Sequence, residues 1–171
     1  AAAFLGRVFS NTFSTLKLSK CRYGLMLNEL GFVMDDGVTA RLAEDQFIMH
    51  TTSGGADRIA ASLEEWLQTE WPDYKVFVTP VTEQWAQFAL AGPKAREVLS
   101  LMEPDFDITN EAFPHMSFVQ GTLGGFPVRV YRISLPGEFS YEIATPYCFG
   151  LCLWTGLWPA GARVGISPLR P

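Results

Sequence analysis

Residues 23–38, YGLMLNELGFVMDDGV, constrain the fold more than any other stretch of this chain. Gly24, Met26 and Asn28 alternate with their neighbours on one side, and Val38, Ala40 and Leu42 do so on the other. A period of two predicts a strand, a turn over residues 28–31 and a second strand. Two adjacent acids, Asp35 and Asp36, stand in this otherwise apolar, Gly-punctuated run. An acid pair at the tip of such a hairpin sits at the rim of a core, where a carboxylate can face a ligand. Asp35-Asp36-Gly37 equally has the chemistry of a plain polar turn, because Asp-Gly is a common hairpin dipeptide. Spacing alone leaves both readings open.

The rest of the chain is punctuated in the same way. Phe4, Leu5, Val8 and Phe9 fit one face of a short helix that Ser10-Asn11 ends. Glu44-Asp45 forms a turn before a strand over residues 46–51. Ser53-Gly-Gly-Ala-Asp opens the clearest helix, with Ile59, Leu63, Trp66 and Leu67 at helical spacing and Asp57, Glu64 and Glu65 on the wet face. Ser53 or Asp57 suits its N-terminus, and Trp71-Pro72 stops it. Residues 75–79 and 85–90 read as strands, the second compatible with partial burial on both faces. Pro93 falls in the first turn of another helix. Residues 103–116 read as a loop, and Gly124-Gly125 as the turn of a hairpin. Leu135-Pro136-Gly137 is a further turn before a short strand at 139–143. Residues 146–158 form a final helix with Leu151, Trp154 and Trp158 along a stripe, which fits core packing better than a cofactor box. Short connections and a majority of strands predict an α+β fold with mostly antiparallel sheets. No repeat or linker divides residues 1–171, so one domain, or part of one, is expected.

Composition excludes several classes. The 171 residues, 48% hydrophobic and 18% charged, suit a globular core. A net charge of −5 without a Lys/Arg cluster argues against nucleic acid. No apolar stretch is long enough for a membrane span, and the N-terminus lacks the pattern of a signal peptide, so a cytoplasmic location is expected. Cys21, Cys148 and Cys152 make no disulfide framework, and Cys148 and Cys152 have the wrong spacing for a redox or zinc pair. His50 and His115 have no second ligand at metal spacing, so no metal is expected. No G-x-G-x-x-G follows a strand, which argues against a dinucleotide bound by these residues.

The order of residues adds what periodicity cannot. CRYGLMLNELGFVMDDGVTARL, EDQFIMHTTSGGADRIAASLEEWLQTEWPD, VTEQWAQFALAGPKAREVL, NEAFPHMSF and RISLPGEFSYEI together resemble the folate-binding aminomethyltransferase (T-protein) family. Within it they resemble the branch found in the alpha subunits of heterotetrameric sarcosine oxidases. The likeness runs over residues 4–165. It implies the aminomethyltransferase fold, with sheets and helices around a folate cavity. It also implies that the family's module continues before Phe4 and after Gly165, so the chain reads as a fragment incomplete at both ends.

That resemblance gives the acids their expected roles. A pterin presents N–H donors, which a carboxylate accepts through charge-assisted hydrogen bonds. The resemblance assigns this recognition to Glu138, with Tyr141 nearby. On a strand, residues 138, 140 and 142 share a face, so Glu138 and Glu142 could enter one pocket. One of Asp35 and Asp36 is expected beside folate N5, where a fixed carboxylate stabilises developing positive charge and can move protons. Adjacent strand residues face opposite ways, so only one of the two should enter the cavity. Met26, Leu27 and Asn28 could line the pterin slot. Arg132 reads as a salt-bridge partner of Glu138 or Glu142.

The implied function is capture of a one-carbon unit by tetrahydrofolate within a sarcosine oxidase. FAD, FMN and NAD are expected in the full enzyme but outside these residues. Its beta, gamma and delta subunits are the expected partners. A glycine-cleavage aminomethyltransferase, a dimethylglycine dehydrogenase-like domain and a non-catalytic folate-fold scaffold are the competing readings.

Overall fold

The computed structural model describes residues 1–134 and 137–169, and the chain divides into two compact units, Ala1–Thr82 and Glu83–Pro171. The first unit runs α1 (Ala2–Val8), β1 (Cys21–Leu27), β2 (Val33–Arg41), β3 (Phe47–Met49) and α2 (Ala56–Thr69). Its three strands pair antiparallel in the order β1-β2-β3.

The expected turn between β1 and β2 is present. Asn28 N–H donates to Phe32 O at 2.9 Å, and Gly31 N–H donates to Asn28 O at 2.9 Å. The Asn28 side chain closes the loop from inside, its Oδ1 accepting from the N–H groups of Leu30 and Phe32 at 3.0 and 2.9 Å. That is the local backbone bonding that makes Asn a turn former. Gly31 takes φ +81°, a conformation that costs a glycine little. The acids, however, are not at the tip. Asp35, Asp36 and Gly37 lie inside β2, paired with Met26, Leu25 and Gly24. The turn reading for Asp-Asp-Gly is therefore corrected: the Asn28 loop already closes the hairpin, and its register carries the acids into the ladder.

α1 buries Phe4, Leu5 and Val8, and with Phe9, Phe13, Leu16 and Met26 these meet Ile59 and Leu63 of α2. The periodicity thus predicts both helices and their inner faces. Residues 75–79 form no strand, contrary to expectation. Val76 and Val78 alternate onto the core while Phe77 is 97% exposed, so the period of two reflects packing without a paired neighbour.

The second unit holds β4 (Trp85–Ala91), α3 (Ala95–Leu101), β5 (Ser117–Leu123), β6 (Phe126–Arg132), β7 (Ser140–Pro146) and α4 (Gly150–Ala162). Its sheet is antiparallel in the order β4-β7-β6-β5. Gly124 and Gly125, at φ +60° and +82°, form the two-residue turn joining β5 to β6. β4 is an edge strand with Gln87, Ala89 and Ala91 exposed, so the two-faced burial expected of it is corrected to one face. On α4 the buried positions are Gly150, Leu153, Leu157 and Gly161. The expected stripe of Leu151, Trp154 and Trp158 lies beside this face: Leu151 is exposed, and Trp154 stacks on Phe88 and meets Trp158 edge-on. Small residues let the helix approach the sheet, as at Gly150, where a Cβ would crowd Ala86. Both units bear out the α+β, antiparallel expectation. Among the described residues no helix is long and apolar enough to cross a membrane.

Candidate functional site

In the first unit the pleat of β2 sends the two acids to opposite faces of the sheet. Asp35 turns toward the start of α2 and is 4% exposed. Its Oδ1 accepts from the N–H of Thr52 at 3.1 Å and of Asp36 at 2.8 Å. Its Oδ2 accepts from the Thr52 hydroxyl at 3.0 Å and lies 3.8 Å from Arg58 Nη2, which itself donates to Met34 O at 2.8 Å. Three donors and a guanidinium compensate the burial of this carboxylate. Gly55 completes the nest, since a Cβ there would collide with Asp35 Oδ2 and Thr52 Oγ1. Neither Ser53 nor Asp57 caps α2; a 3₁₀ turn over Ser53–Gly55 leads into it, and no side-chain cap bond is made.

Asp36 faces the other way and is half-buried. Tyr23 pairs with Val38, which places it diagonally across the hairpin from Asp36 on the same face. The Tyr23 hydroxyl donates to Asp36 Oδ2 at 2.6 Å, a charge-assisted bond. The carboxylate that accepts this bond, together with burial and its own charge, holds the Tyr23 phenol above the ordinary tyrosine range. Tyr23 is thus kept as a donor while Asp36 retains its second oxygen for another partner. Met26 is buried on the Asp35 side of the sheet. Leu27 is exposed at the end of β1, and Asn28 spends its side-chain oxygen on the loop.

In the second unit Glu138 is exposed in a bend that precedes β7, immediately after Gly137 at φ +81°. It is not part of the strand, so the shared-face argument linking residues 138, 140 and 142 does not hold; Ser140 is buried instead. Leu135 and Pro136, of the turn expected before Glu138, lie outside the described residues. Glu142 sits inside β7, accepting from Gln87 Nε2 at 2.8 Å. Burial pushes its carboxyl above the ordinary range, and the Gln87 bond opposes that shift.

Tyr141 is fully buried against Phe113, and its hydroxyl meets Arg96 Nε at 3.2 Å. Arg132 donates to Phe113 O at 2.6 Å in place of the acid partner expected for it. The pleat of β6 carries its guanidinium toward that loop carbonyl and beneath the Phe139 ring, 5.2 Å from the centroid. Among the described residues no group of three or more His, Cys, Asp or Glu is placed to hold a metal.

Sequence reasoning missed Tyr23, Thr52, Gly55, Arg58, Arg96 and Phe139. The first was within reach: a hairpin closed over residues 28–32 puts Tyr23 diagonal to Asp36 by counting. The others depend on contacts between segments distant along the chain.

This arrangement sits in a chain whose residues 1–169 match the model of the GCVT N-terminal domain. The chain belongs to that family. It is similar to the sarcosine oxidase subunit alpha of Corynebacterium sp. (strain P-1), at 48% identity over 98% of this chain and 18% of the relative. It thus spans less than a fifth of that curated relative's length. It is also similar to the solved glycine cleavage system aminomethyltransferase T from Bartonella henselae, with a TM-score of 0.76 and 25% identity over 92% of this chain and 40% of that one. The heterotetrameric sarcosine oxidase of Corynebacterium sp. U-96 contains a chain of the same fold, with a TM-score of 0.68 and 16% identity over 99% of this chain and 76% of that one. The family and fold expected from the residue order are both borne out.

Proposed function

We propose that this GCVT-family chain is the tetrahydrofolate-binding, one-carbon-accepting domain of a sarcosine oxidase alpha subunit. The observation that carries the reading is the division of labour at Asp35-Asp36, in a chain 48% identical to such a subunit. One acid is consumed in folding; the other is held, among the described residues, by the Tyr23 phenol at one oxygen. Each acid supports the reading by itself: the half-buried Asp36 carboxylate is an acceptor for an amine N–H, and the exposed Glu138 carboxylate is an acceptor for pterin N–H donors.

When bound, tetrahydrofolate supplies a nucleophilic N5 amine that takes up the one-carbon unit. Asp36 stabilises positive charge developing at that amine, and Tyr23 fixes the carboxylate before the chemistry begins. Asp36 can also accept a proton at its free oxygen. Glu138 accepts hydrogen bonds from the pterin. Leu27 and Asn28 belong to the rim of the hairpin: Leu27 offers apolar surface, and Asn28 holds the loop's shape. Tyr141 acts from the core, through Arg96.

The whole enzyme would convert sarcosine, tetrahydrofolate and oxygen into glycine, 5,10-methylenetetrahydrofolate and hydrogen peroxide. FAD, FMN and NAD would be bound elsewhere, and beta, gamma and delta subunits would complete a cytoplasmic hetero-oligomer. The same residues would serve a glycine-cleavage aminomethyltransferase; the 48% identity to an alpha subunit, against 31% to an aminomethyltransferase, favours the first reading.

The test is anaerobic calorimetry of tetrahydrofolate binding to the intact protein that carries this chain. Glu138→Gln is expected to weaken binding roughly tenfold to a hundredfold, the scale of a charge-assisted hydrogen bond. Asp36→Asn is expected to bind within about threefold of wild type while one-carbon capture collapses. Folded wild-type protein that binds no tetrahydrofolate would overturn the proposal and leave a scaffold.

A further inference from the structure

Glu138 is exposed, yet the residue that follows it is pinned from two sides. The guanidinium carbon of Arg96 lies 4.7 Å from the centroid of the Phe139 ring, and that of Arg132 lies 5.2 Å from it. Both distances fall within the range of cation–π attraction. Neither cation is loose. Arg96 reaches Tyr141 Oη with Nε at 3.2 Å and donates to Asn110 Oδ1 with Nη2 at 2.6 Å. Arg132 is 9% exposed and donates to Phe113 O. The backbone at Phe139 is also held, Gly92 N–H donating to its carbonyl at 2.8 Å.

A ring 36% exposed at the surface would ordinarily swing freely. Here two anchored planar cations and a backbone bond hold it, on a segment entered through the positive φ of Gly137. The cations are themselves tied to the core through Tyr141 and Phe113, which pack on each other at 5.9 Å between ring centroids.

We infer that Arg96, Phe139 and Arg132 are positioning residues for Glu138, a guanidinium–ring clasp that fixes the direction in which its carboxylate is presented to a ligand carrying N–H donors. The inference rests on the role proposed above for Glu138. It links Tyr141, buried in the core, to the segment of a surface acid three residues earlier in the chain, through the Arg96 guanidinium that meets both the Tyr141 hydroxyl and the Phe139 ring. It also gives Arg132, which among the described residues has no carboxylate at bonding distance, a function other than a salt bridge.

The experiment measures tetrahydrofolate affinity by anaerobic calorimetry on the intact protein, with thermal melts alongside. The variants are Glu138→Gln, Phe139→Leu, Phe139→Tyr and the Glu138→Gln/Phe139→Leu double. Phe139→Leu keeps the bulk but loses the ring, and it is expected to weaken binding about three- to tenfold. Phe139→Tyr restores the ring face and is expected to restore affinity. In the double variant the effect of Phe139→Leu is expected to vanish, because it acts only through the carboxylate. Wild-type affinity in Phe139→Leu, or effects that multiply in the double variant, would overturn the clasp while leaving the role of Glu138 intact. Wild-type affinity in Glu138→Gln would instead overturn the role of Glu138 and the clasp with it. If Phe139→Leu lowers the melting temperature, Arg96→Gln replaces it, with the same loss and the same non-additivity expected.

Discussion

Tyr23 and Asp36 face each other diagonally across the first hairpin, with 2.6 Å between the phenolic oxygen and Asp36 Oδ2. The adjacent acid, Asp35, points the opposite way and is satisfied by the backbone and side chain of Thr52. A pleated strand thus separates two neighbouring carboxylates into one that shapes the fold and one that remains available for chemistry.

The Tyr23 bond has a direct spectroscopic consequence. A carboxylate accepting from the phenol opposes formation of the phenolate, so Tyr23 ionises above the ordinary tyrosine value. Ultraviolet titration should contain a late transition that belongs to Tyr23. That transition should disappear in Tyr23→Phe and move down toward the ordinary value in Asp36→Asn. Tyr23→Phe should also slow one-carbon capture about tenfold, the scale of a hydrogen bond to a charged group. An unchanged titration in Asp36→Asn would show that the pair is not formed in solution.

Asp35 should matter to folding first. Asp35→Ala leaves the N–H groups of Thr52 and Asp36 and the Thr52 hydroxyl without this acceptor and Arg58 without its ion-pair partner, and should cost about 2–4 kcal/mol in denaturant unfolding. Gly55→Ala should cost a similar amount, because the added methyl meets Asp35 Oδ2 and Thr52 Oγ1. The two substitutions share one cause, so the double variant should be more stable than the sum of the singles predicts. Strict additivity would show that Gly55 is required for some other reason.

The same pair of acids shows what the sequence could and could not reveal. Alternation along residues 23–42 and the turn at Asn28 are local, so both strands, their loop and the opposed faces of Asp35 and Asp36 were legible. The ligands of Asp35 were not, because Thr52, Gly55 and Arg58 reach it from a segment separated by a strand and a loop. Periodicity misled where packing imitated pairing: Val76 and Val78 alternate inward with no neighbouring strand. It also misled at Glu138, where a shared face presupposes a strand that begins only at Ser140. The family came from the order of residues, which carries information that hydropathy does not.

Glu142 predicts a pH dependence whose sign follows from its burial. Its carboxyl is raised in the folded state, chiefly by desolvation. The stability linked to its proton is fully present below the ordinary glutamate value and is lost as pH rises through the raised folded value. Glu142→Gln keeps an acceptor for Gln87 and removes the buried charge. It should therefore be at least as stable as wild type at neutral pH and show a shallower decline through that window. A steeper decline, followed by thermal melts across the mildly acidic range, would show that Glu142 is stabilised as the carboxylate.

Asn28 separates a role in shaping the loop from one in touching a ligand. Its side-chain oxygen already accepts from Leu30 and Phe32, so that oxygen is engaged before any ligand arrives. Asn28→Ala should destabilise the protein by about 1–2 kcal/mol, since it strips two backbone N–H groups of their acceptor in an exposed loop. Asn28→Asp keeps the acceptor and should recover most of that loss. If shaping the loop is its whole contribution, tetrahydrofolate affinity in Asn28→Asp should match wild type, while the amide's lost donor is felt nowhere. A folded Asn28→Asp protein that binds tetrahydrofolate tenfold more weakly would instead assign the amide N–H a partner on the ligand.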